Sequence, residues 1–353
     1  MKRLLLMTCL ASAFVYAWLQ LEEILLYVVG QPSSTGQLQK AYEAPFFRAL
    51  KKTTQIPFRT TYKPLDTIGL KDTYQLQMLK NGTIDLASLR FTQNSGAEPS
   101  LQGIDLLGLI TDFDDAEKVI KAYASTVDQY LQSTFNTKLL GIWTFGPQEI
   151  FCNRPIKALA DMKGRKVRVP SPAISTFISE LGATPAVISF DETERALSIG
   201  LVDCAITSAA SANFAGWPKY AQYNFPIAVQ FGLNGYAISL KKWNSLSPQQ
   251  QNKLQSTFDN YLGDLWQISK DLKIDASMCN IGGDCKHGTR YQGASAKVSD
   301  QDIKLSHQIM ISKVLPEWGQ RCEKAHPGCV AIWKEKLSPY LKENIDNGAL
   351  QKP

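Results

Sequence analysis

Short apolar strands alternate with short helices over residues 159–205, and this alternation strongly restricts how the chain can fold. The pattern predicts three strands separated by two helices: strands at 166–169, 185–189 and 202–206, and helices at 172–181 and 191–199. Gly182 and Gly200 follow the two helices, where glycine commonly supplies the left-handed residue that ends a helix. Such short connections favour strands covered by helices, which is α/β architecture.

The rest of the chain continues the same alternation. Further elements are predicted as strands at 24–29, 57–62, 84–89, 139–144 and 236–240, and as helices at 38–50, 72–80 and 115–135, with Pro45 interrupting the first helix. A long helix is expected to begin with the capping signal at Ser247 and Pro248. Its apolar stripe runs to Leu272, which corresponds to a helix of roughly 37 Å at 1.5 Å per residue.

A chain of 353 residues is longer than a single hydrophobic core usually supports. We therefore expect two lobes that the chain visits alternately, with one crossing near residue 148 and a return within 232–236. The expected first lobe comprises residues 24–147 and 236–255. The expected second lobe comprises residues 148–235 and 256–353, with disulfides in its C-terminal segment.

The N-terminus has the pattern of a secretory signal peptide. Lys2 and Arg3 precede an apolar run at 4–16, and small residues near Ala17 provide a cleavage site, so residues 1–17 form the predicted peptide. Polar residues from position 20 onward make the apolar stretch too short for the roughly 20 residues of a membrane span. The mature chain is therefore expected in the periplasm.

Four cysteines near the C-terminus form two close pairs in the sequence, Cys279 with Cys285 and Cys322 with Cys329. In an exported protein, such pairs are typical of local disulfide bonds. Each bond would close a loop that contains glycine.

Zinc is the alternative for these cysteines, since His287 and His326 lie near them in the sequence. The spacing lacks the paired C-x-x-C of a typical zinc site, so neither a metal nor a cofactor is predicted. Cys152 and Cys204 lie in strand-like segments and are expected to be buried thiols, with a mutual disulfide as the alternative.

Charge and motifs favour neither nucleic-acid binding nor enzymatic activity. The formal net charge is +6 without a dense basic run, so nucleic acid is not favoured; a mild positive field would suit a small anion or simply aid solubility. The chain has three histidines and lacks the common nucleophile-elbow, zinc-protease, phosphate-loop and dinucleotide motifs. An enzyme is therefore not predicted.

Five motifs together resemble the DctP-type solute-binding proteins of tripartite ATP-independent periplasmic (TRAP) transporters. They are DMKG at 161–164, KVRVP at 166–170, LGATP at 181–185, ALSIG at 196–200 and LVDCA at 201–205, and a phenylalanine followed by acidic residues at 190–192 accompanies them. Weaker similarity runs from residue 26 to residue 262. The resemblance implies a two-lobed periplasmic binding protein fold of the α/β class, with a hinge and a long helix spanning both lobes.

The same resemblance implies a function in secondary transport across the inner membrane. The protein would capture a small organic acid, either a monocarboxylate or a dicarboxylate, and deliver it to the small and large integral-membrane components of the transporter. A receptor of the same fold that serves a signalling partner is the alternative.

Arg168 is the leading candidate for the ligand site. Val167 and Val169 alternate with it, which predicts a strand with the valines on the buried face and Arg168 on the other face near the carboxyl end. Open α/β sheets bind ligands at that end. The resembled family places its carboxylate-binding arginine at this motif position, and a guanidinium offers two parallel donors to a carboxylate.

Arg90 ends the predicted strand at 84–89 and is the candidate for a second cation in the cleft. The resemblance places it where sialate-binding relatives carry an acidic residue. Two guanidiniums would favour a dianion, because burying both without compensating charge is costly. A surface or cross-strand role for Arg90 is the alternative.

Five further residues complete the predicted ligand site through the resemblance or through their position after strands. Gln148 occupies the place of a second arginine in sialate binders, and Thr207 that of a ligand-contacting asparagine in some relatives. Gln31 loosely matches a ligand-facing asparagine. Trp217 and Phe145 are candidates for the apolar wall of the pocket, with a role in the core as the alternative.

Overall fold

The computed structural model describes residues 23–69, 71–170 and 174–340, so the predicted signal peptide lies outside the described residues. The strands in these ranges are β1 Ile24–Gly30, β2 Phe58–Pro64, β3 Leu86–Arg90, β4 Thr137–Thr144, β5 Gln148–Cys152, β6 Lys166–Val169, β7 Thr184–Val187, β8 Cys204–Ser208, β9 Tyr223–Gln230, β10 Leu233–Ser239 and β11 Ala294–Ser295. The α-helices are α1 Ala44–Thr54, α2 Gln75–Lys80, α3 Phe91–Asn94, α4 Ser100–Gly103, α5 Phe113–Phe135, α6 Ser175–Glu180, α7 Phe190–Ser198, α8 Ala209–Phe214, α9 Leu240–Asn244, α10 Pro248–Asn280, α11 Asp300–Ile309, α12 Leu315–Ala325 and α13 Cys329–Leu337.

The strands form two mixed sheets. The first has the order β2-β1-β3-β10-β4, and the second has the order β11-β9-β5-β8-β6-β7. In the first sheet β1 is parallel to β2 and β3, while β10 runs antiparallel to β3 and β4. In the second sheet β6 is parallel to β7 and β8, while β5 runs antiparallel to β8 and β9. The predicted two-lobed α/β fold is confirmed.

The chain passes between the sheets twice, from β4 to β5 and from β9 back to β10. The two connections lie side by side, because the backbone N–H of Phe145 donates to the Gly232 carbonyl at 3.2 Å. Gly232 has a φ of 64°. A Cβ atom there would lie 2.4 Å from Nε2 of Gln148, so both backbone conformation and space favour glycine.

Helix α10 connects the two halves and has 33 residues, more than the sequence predicts. Ser247 and Gln250 form the capping box that the sequence suggests. Near its start, Gln255 donates to the Leu140 carbonyl of β4 at 2.8 Å; at its end, Asn280 donates to the Ala209 carbonyl of α8 at 3.2 Å. The predicted helix spanning both lobes is therefore confirmed.

The C-terminal helices pack against both halves of the molecule. The indole of Trp318 donates to the Pro99 carbonyl at 2.8 Å, and that of Trp333 donates to the Gly103 carbonyl at 2.7 Å. On the other side, Asp302 accepts from the backbone N–H of Leu159 at 2.8 Å. The segment after α10 therefore forms hydrogen bonds with both halves of the molecule, at positions distant from it in sequence.

The two predicted local disulfides, Cys279 with Cys285 and Cys322 with Cys329, are present in the structure. The expectation of buried thiols at Cys152 and Cys204 is wrong, because these residues form a third disulfide. Cys152 and Cys204 are register partners on β5 and β8. Sheet order brings them together across a sequence separation of 52 residues, which no local pattern reveals.

Most predicted elements are present, with boundaries shifted by a few residues. The predicted helix at 72–80 begins as the 3-10 turn Asp72–Tyr74 and continues as α2. Strand β9 is absent from the predictions, since its sequence YNFPIAVQ contains Pro226. Within the described ranges, no helix is both long and apolar enough to cross a membrane.

Candidate functional site

Arg168 lies on β6 between β7 and β8, and only 1% of its surface is exposed. Its Nε atom donates to the Ile188 carbonyl at 2.9 Å, and Nη1 donates to the Ile206 carbonyl at 2.8 Å. Nη2 is buried and has no hydrogen-bond partner among the described residues. Two carbonyls therefore hold the guanidinium in position. The N–H groups of Nη2 have no acceptor in the described part of the chain.

Burial lowers the pKa of the Arg168 guanidinium to about 9, because removing a charge from water disfavours its ionised form. The positive charge of Arg90 lowers this pKa further, whereas Asp72 and Asp191 raise it. The two arginines, which come from different sheets, thus interact electrostatically across the site.

Each arginine lies near an aromatic ring, and the two rings are close to each other. The Cζ atom of Arg168 lies 5.5 Å from the ring centroid of Trp217, and Cζ of Arg90 lies 5.8 Å from that of Phe190. The rings of Phe190 and Trp217 are themselves 5.2 Å apart. The predicted residues Arg168, Arg90 and Trp217 therefore meet around one apolar centre, where each cation lies near an aromatic ring.

Arg90 ends β3 and is 7% exposed. Its Nη1 atom forms a salt bridge with Oδ2 of Asp72 at 3.3 Å, while Nε is buried without a hydrogen-bond partner in the described part of the chain. The backbone N–H of Arg90 donates to Oε1 of Gln75 at 3.0 Å. Asp72 and Phe190 are site residues that sequence reasoning missed; the phenylalanine before the acidic residues of α7 was the available signal for Phe190.

Gln31 follows the carboxyl end of β1 and is buried. Its Nε2 atom donates to the Ser88 hydroxyl at 2.9 Å, and its buried Oε1 atom has no partner among the described residues. Oε1 is therefore an acceptor available to a donor group of a ligand.

Glu43 supports the turn that carries Gln31, and sequence reasoning missed it. Its carboxylate accepts from the backbone N–H of Gln31 at 2.7 Å and from the hydroxyls of Tyr62 and Tyr236 at 2.8 and 2.9 Å. Burial raises the pKa of the Glu43 carboxyl. Tyr236 is 193 residues away in sequence, so only the tertiary structure reveals this network.

The remaining predicted residues occupy the second sheet and the connections between the sheets. Thr207 is buried on β8, opposite Glu149 of β5. Gln148 begins β5 and donates to the Gly146 carbonyl at 3.0 Å, while Phe145 packs edge-to-face on Trp143 at 4.7 Å. The contacts of Gln148 and Phe145 lie at the crossing of the chain between the sheets, and within the described ranges none of them joins these residues directly to Arg168.

The cysteine sulfurs and the His326 imidazole that suggested zinc have other partners. Cys279 and Cys285 lie near Asp275, but the two sulfurs are bonded to each other and Asp275 accepts from the backbone N–H groups of Lys286 and His287. His326 contacts Glu98 through Nε2 at 2.9 Å. These partners favour structural roles over metal coordination.

The model of the DctP family, described as bacterial extracellular solute-binding protein, family 7, matches residues 35–278. Among curated proteins, the sialic acid-binding periplasmic protein SiaP of Vibrio cholerae is 27% identical over 177 residues, which cover 50% of this chain and 55% of the relative. The C4-dicarboxylate-binding periplasmic protein DctP of the same organism is 30% identical over 132 residues, covering 36% and 39%. The similarity thus spans about half or less of each relative's length.

Solved structures match nearly the whole fold. A TRAP periplasmic solute-binding protein of Desulfovibrio salexigens with bound orotic acid has a TM-score of 0.79 at 16% identity, covering 90% of this chain and 99% of the other. An extracytoplasmic solute receptor of Bordetella pertussis that binds pyroglutamic acid has a TM-score of 0.75 at 18% identity, covering 88% and 99%. At these identities the likeness concerns the fold alone.

Proposed function

We propose that this chain, which belongs to the DctP family of bacterial extracellular solute-binding proteins, family 7, captures a small organic acid in the periplasm through Arg168. It then delivers the acid to the small and large integral-membrane subunits of a TRAP transporter. The family is one of solute-binding proteins, and the bound ligands of several structural neighbours are organic acids.

The unoccupied donor group of Arg168 carries the proposal. An isolated buried charge costs several kcal/mol unless it is paired and hydrogen-bonded. Among the described residues, the carbonyls of Ile188 and Ile206 accept from Nε and one N–H of Nη1, which leaves the other Nη1 N–H and both N–H groups of Nη2 for a ligand. A carboxylate matches this edge because it accepts two parallel hydrogen bonds from a guanidinium.

The surroundings of Arg168 supply the other parts of a small-molecule site. Trp217 and Phe190 form an apolar wall beside the guanidinium, and Oε1 of Gln31 provides an acceptor for a hydroxyl or amide of the acid. Thr207 lies near the same carboxyl edge of the second sheet as Arg168, which makes it a further candidate contact. We assign Gln148 and Phe145 to the hinge side of the cleft.

The proposed lobes comprise residues 24–147 with 236–255, and residues 148–235 with 256–353. Closure of the lobes would bring Arg90 from the first sheet toward Arg168 from the second, around Phe190 and Trp217. The proposed signal peptide at 1–17 directs the chain to the periplasm.

The proposal predicts that substituting Arg168 abolishes tight binding of a carboxylate. The ligand is first identified by a thermal-shift screen of mono- and dicarboxylic acids, and its dissociation constant is then measured by calorimetry. Arg168→Ala should weaken binding by about 1.5–3 kcal/mol or more, because a charge-assisted hydrogen-bond pair is lost. Arg168→Lys should recover only part of the affinity, since an ammonium lacks the planar fork.

The matched control is Arg195→Ala, which removes an exposed guanidinium from α7 in the same half of the molecule. This variant should bind the acid as the wild type does. Full affinity of Arg168→Ala for the best carboxylate of the screen would contradict the proposed role.

A further inference from the structure

The two arginines of the candidate site differ in whether they have a carboxylate partner. Two guanidiniums share the apolar centre formed by Phe190 and Trp217. Arg90 has a carboxylate partner in Asp72, whereas no described carboxylate forms a salt bridge with Arg168. One positive charge of the two is therefore neutralised within the protein.

The salt bridge between Arg90 and Asp72 is sheltered and held in place by neighbouring side chains. The side-chain exposures are 8% for Arg90 and 16% for Asp72, so water screens the pair weakly. Asn94 donates to the backbone carbonyls of both residues, at 3.0 Å to Asp72 and 2.9 Å to Arg90. Gln75 accepts from the backbone N–H of Arg90. Asp72 is thus positioned opposite Arg90 by the fold of the first sheet.

Two other acidic groups near the site have hydrogen-bond partners other than the two arginines. Asp191 is exposed to solvent and accepts a hydrogen bond from the Ser34 hydroxyl, so water screens its charge. Glu43 is buried behind Gln31 and accepts from the backbone N–H of Gln31 and from the hydroxyls of Tyr62 and Tyr236, whereas no salt bridge joins it to either arginine among the described residues.

We propose that Asp72 determines the ligand's charge: by neutralising Arg90 it leaves a single net positive charge at Arg168, which selects an acid with one carboxylate over an acid with two. This inference rests on the proposed function. A second ligand carboxylate would meet Asp72 within the same sheltered region, where repulsion between like charges is strong. Arg90 retains a buried Nε donor without a described partner, which suits a neutral oxygen of the ligand.

The test uses pairs of acids of similar size in which one carboxylate is replaced by a neutral amide. Succinate is compared with succinamate, and glutarate with glutaramate, near pH 8, where carboxyl groups of ordinary pKa (about 4) are ionised. All four compounds are included in the thermal-shift screen, and the ratio of dissociation constants is measured for each pair that binds. The wild type should prefer the monoacid of the pair.

Asp72→Asn releases Arg90 from its partner and should shift the ratio at least tenfold toward the diacid. The double variant Arg90→Gln/Asp72→Asn leaves Arg168 as the single charge and should restore the preference for the monoacid. It also replaces the buried ion pair by a neutral pair, so it tests the inference even where Asp72→Asn alone fails to fold. Asp284→Asn, in the exposed loop between Cys279 and Cys285, is the matched control and should leave the ratio unchanged.

Four outcomes distinguish failure of this inference from failure of the proposed function. Preference of the wild type for the diacid, or an unchanged ratio in folded Asp72→Asn, overturns the role of Asp72 while the carboxylate site stands. A diacid preference in the double variant also overturns it. Failure of every carboxylate in the screen to bind overturns the proposed function, and this inference with it.

Discussion

At the scale of single residues, the site is built from side chains that are buried yet keep polar atoms unoccupied. Nη2 of Arg168, Nε of Arg90 and Oε1 of Gln31 all lack partners among the described residues. Buried polar atoms in folded proteins are nearly always hydrogen-bonded, so the unpaired donors of the two arginines beside Phe190 and Trp217 indicate a place for a ligand. The two donor atoms belong to cations and the acceptor to an amide, which matches an anion that also carries a hydrogen-bond donor.

Trp217 contributes to both the core and the candidate site. Its side chain is 0% exposed, and its ring lies beneath the Arg168 guanidinium. Trp217→Ala should lower the free energy of unfolding by about 3–5 kcal/mol, because it leaves a large cavity. Trp217→Phe should cost less stability while weakening the contact with the cation, since tryptophan is the stronger partner of a guanidinium.

Denaturant unfolding of the ligand-free protein measures these differences. Tyr220→Ala is the control, because this nearby aromatic residue is 40% exposed and should contribute much less to stability. Equal stability of Trp217→Ala and the wild type would show that the ring is not part of the packed core.

At the scale of elements, strand order decides which residues meet. β8 lies between β5 and β6, so Cys204 faces Cys152 on one side and Val167 on the other. The alternation along β6 correctly predicts a strand, but Arg168 is buried because β7, β8 and Trp217 surround it. A pattern within one strand indicates its two faces but not what covers each face.

The three disulfides should differ in their effect on stability, because they close loops of different length. In the chain-entropy model, the bond between Cys152 and Cys204, with a separation of 52 residues, contributes about 4 kcal/mol. The bond between Cys279 and Cys285, with a separation of 6, contributes about 2 kcal/mol. The double variant Cys152→Ala/Cys204→Ala should therefore be destabilised more than Cys279→Ala/Cys285→Ala, as measured by chemical denaturation of the oxidised proteins.

The short-loop variant serves as the matched control for the long-range bond. A larger loss for Cys279→Ala/Cys285→Ala would contradict the ranking by loop length. Mass measurement after alkylation under denaturing conditions, without reductant, verifies that the cysteines remaining in each variant are paired.

At the scale of the whole molecule, a buried carboxylate holds the crossing between the two sheets. Asp105 accepts from the backbone N–H groups of Phe231 and Leu233 at 2.7 and 3.1 Å, on either side of Gly232. Burial raises the pKa of the Asp105 carboxyl to about 7, and the backbone hydrogen bonds oppose this shift. The segment where the chain returns to the first sheet is therefore linked to a group that titrates near neutral pH.

This pKa predicts a dependence of stability on pH. The folded state binds more protons than the unfolded state between about pH 4 and about pH 7, because the ordinary pKa of Asp105 is 3.8. The free energy of unfolding should therefore decrease as pH rises through this window, by up to about 1.4 kcal/mol per pH unit from this group. Asp105→Asn removes the titration, so its stability should depend less on pH in urea denaturation measured across the window.

Glu43 and Glu149 remain in Asp105→Asn, and burial raises the pKa values of their carboxyls too. Part of the pH dependence of stability should therefore persist in this variant. Asp284→Asn is the control, since an exposed carboxylate should leave the pH profile unchanged. Identical slopes for the wild type and Asp105→Asn would contradict the assignment.

The sequence alone determined the features that depend on neighbouring residues. Apolar periodicity predicts the strand and helix alternation, the capping signal predicts the start of α10, and close spacing predicts the disulfides at 279–285 and 322–329. The motifs around Arg168 also predict the family. They single out Arg168 as the first cation of the candidate site. Each of these signals lies within a segment whose residues interact regardless of the rest of the fold.

Only the tertiary structure decided which distant groups meet. It pairs Arg90 with Asp72, brings both arginines to Phe190 and Trp217, and joins Cys152 to Cys204. These contacts depend on the order of the strands and on how the two sheets face each other. The periodicity of apolar residues within one segment predicts neither of these features. The residues that carry positive charge were therefore evident from the sequence, but the net charge of the site was not, because neutralisation requires a partner at hydrogen-bond distance.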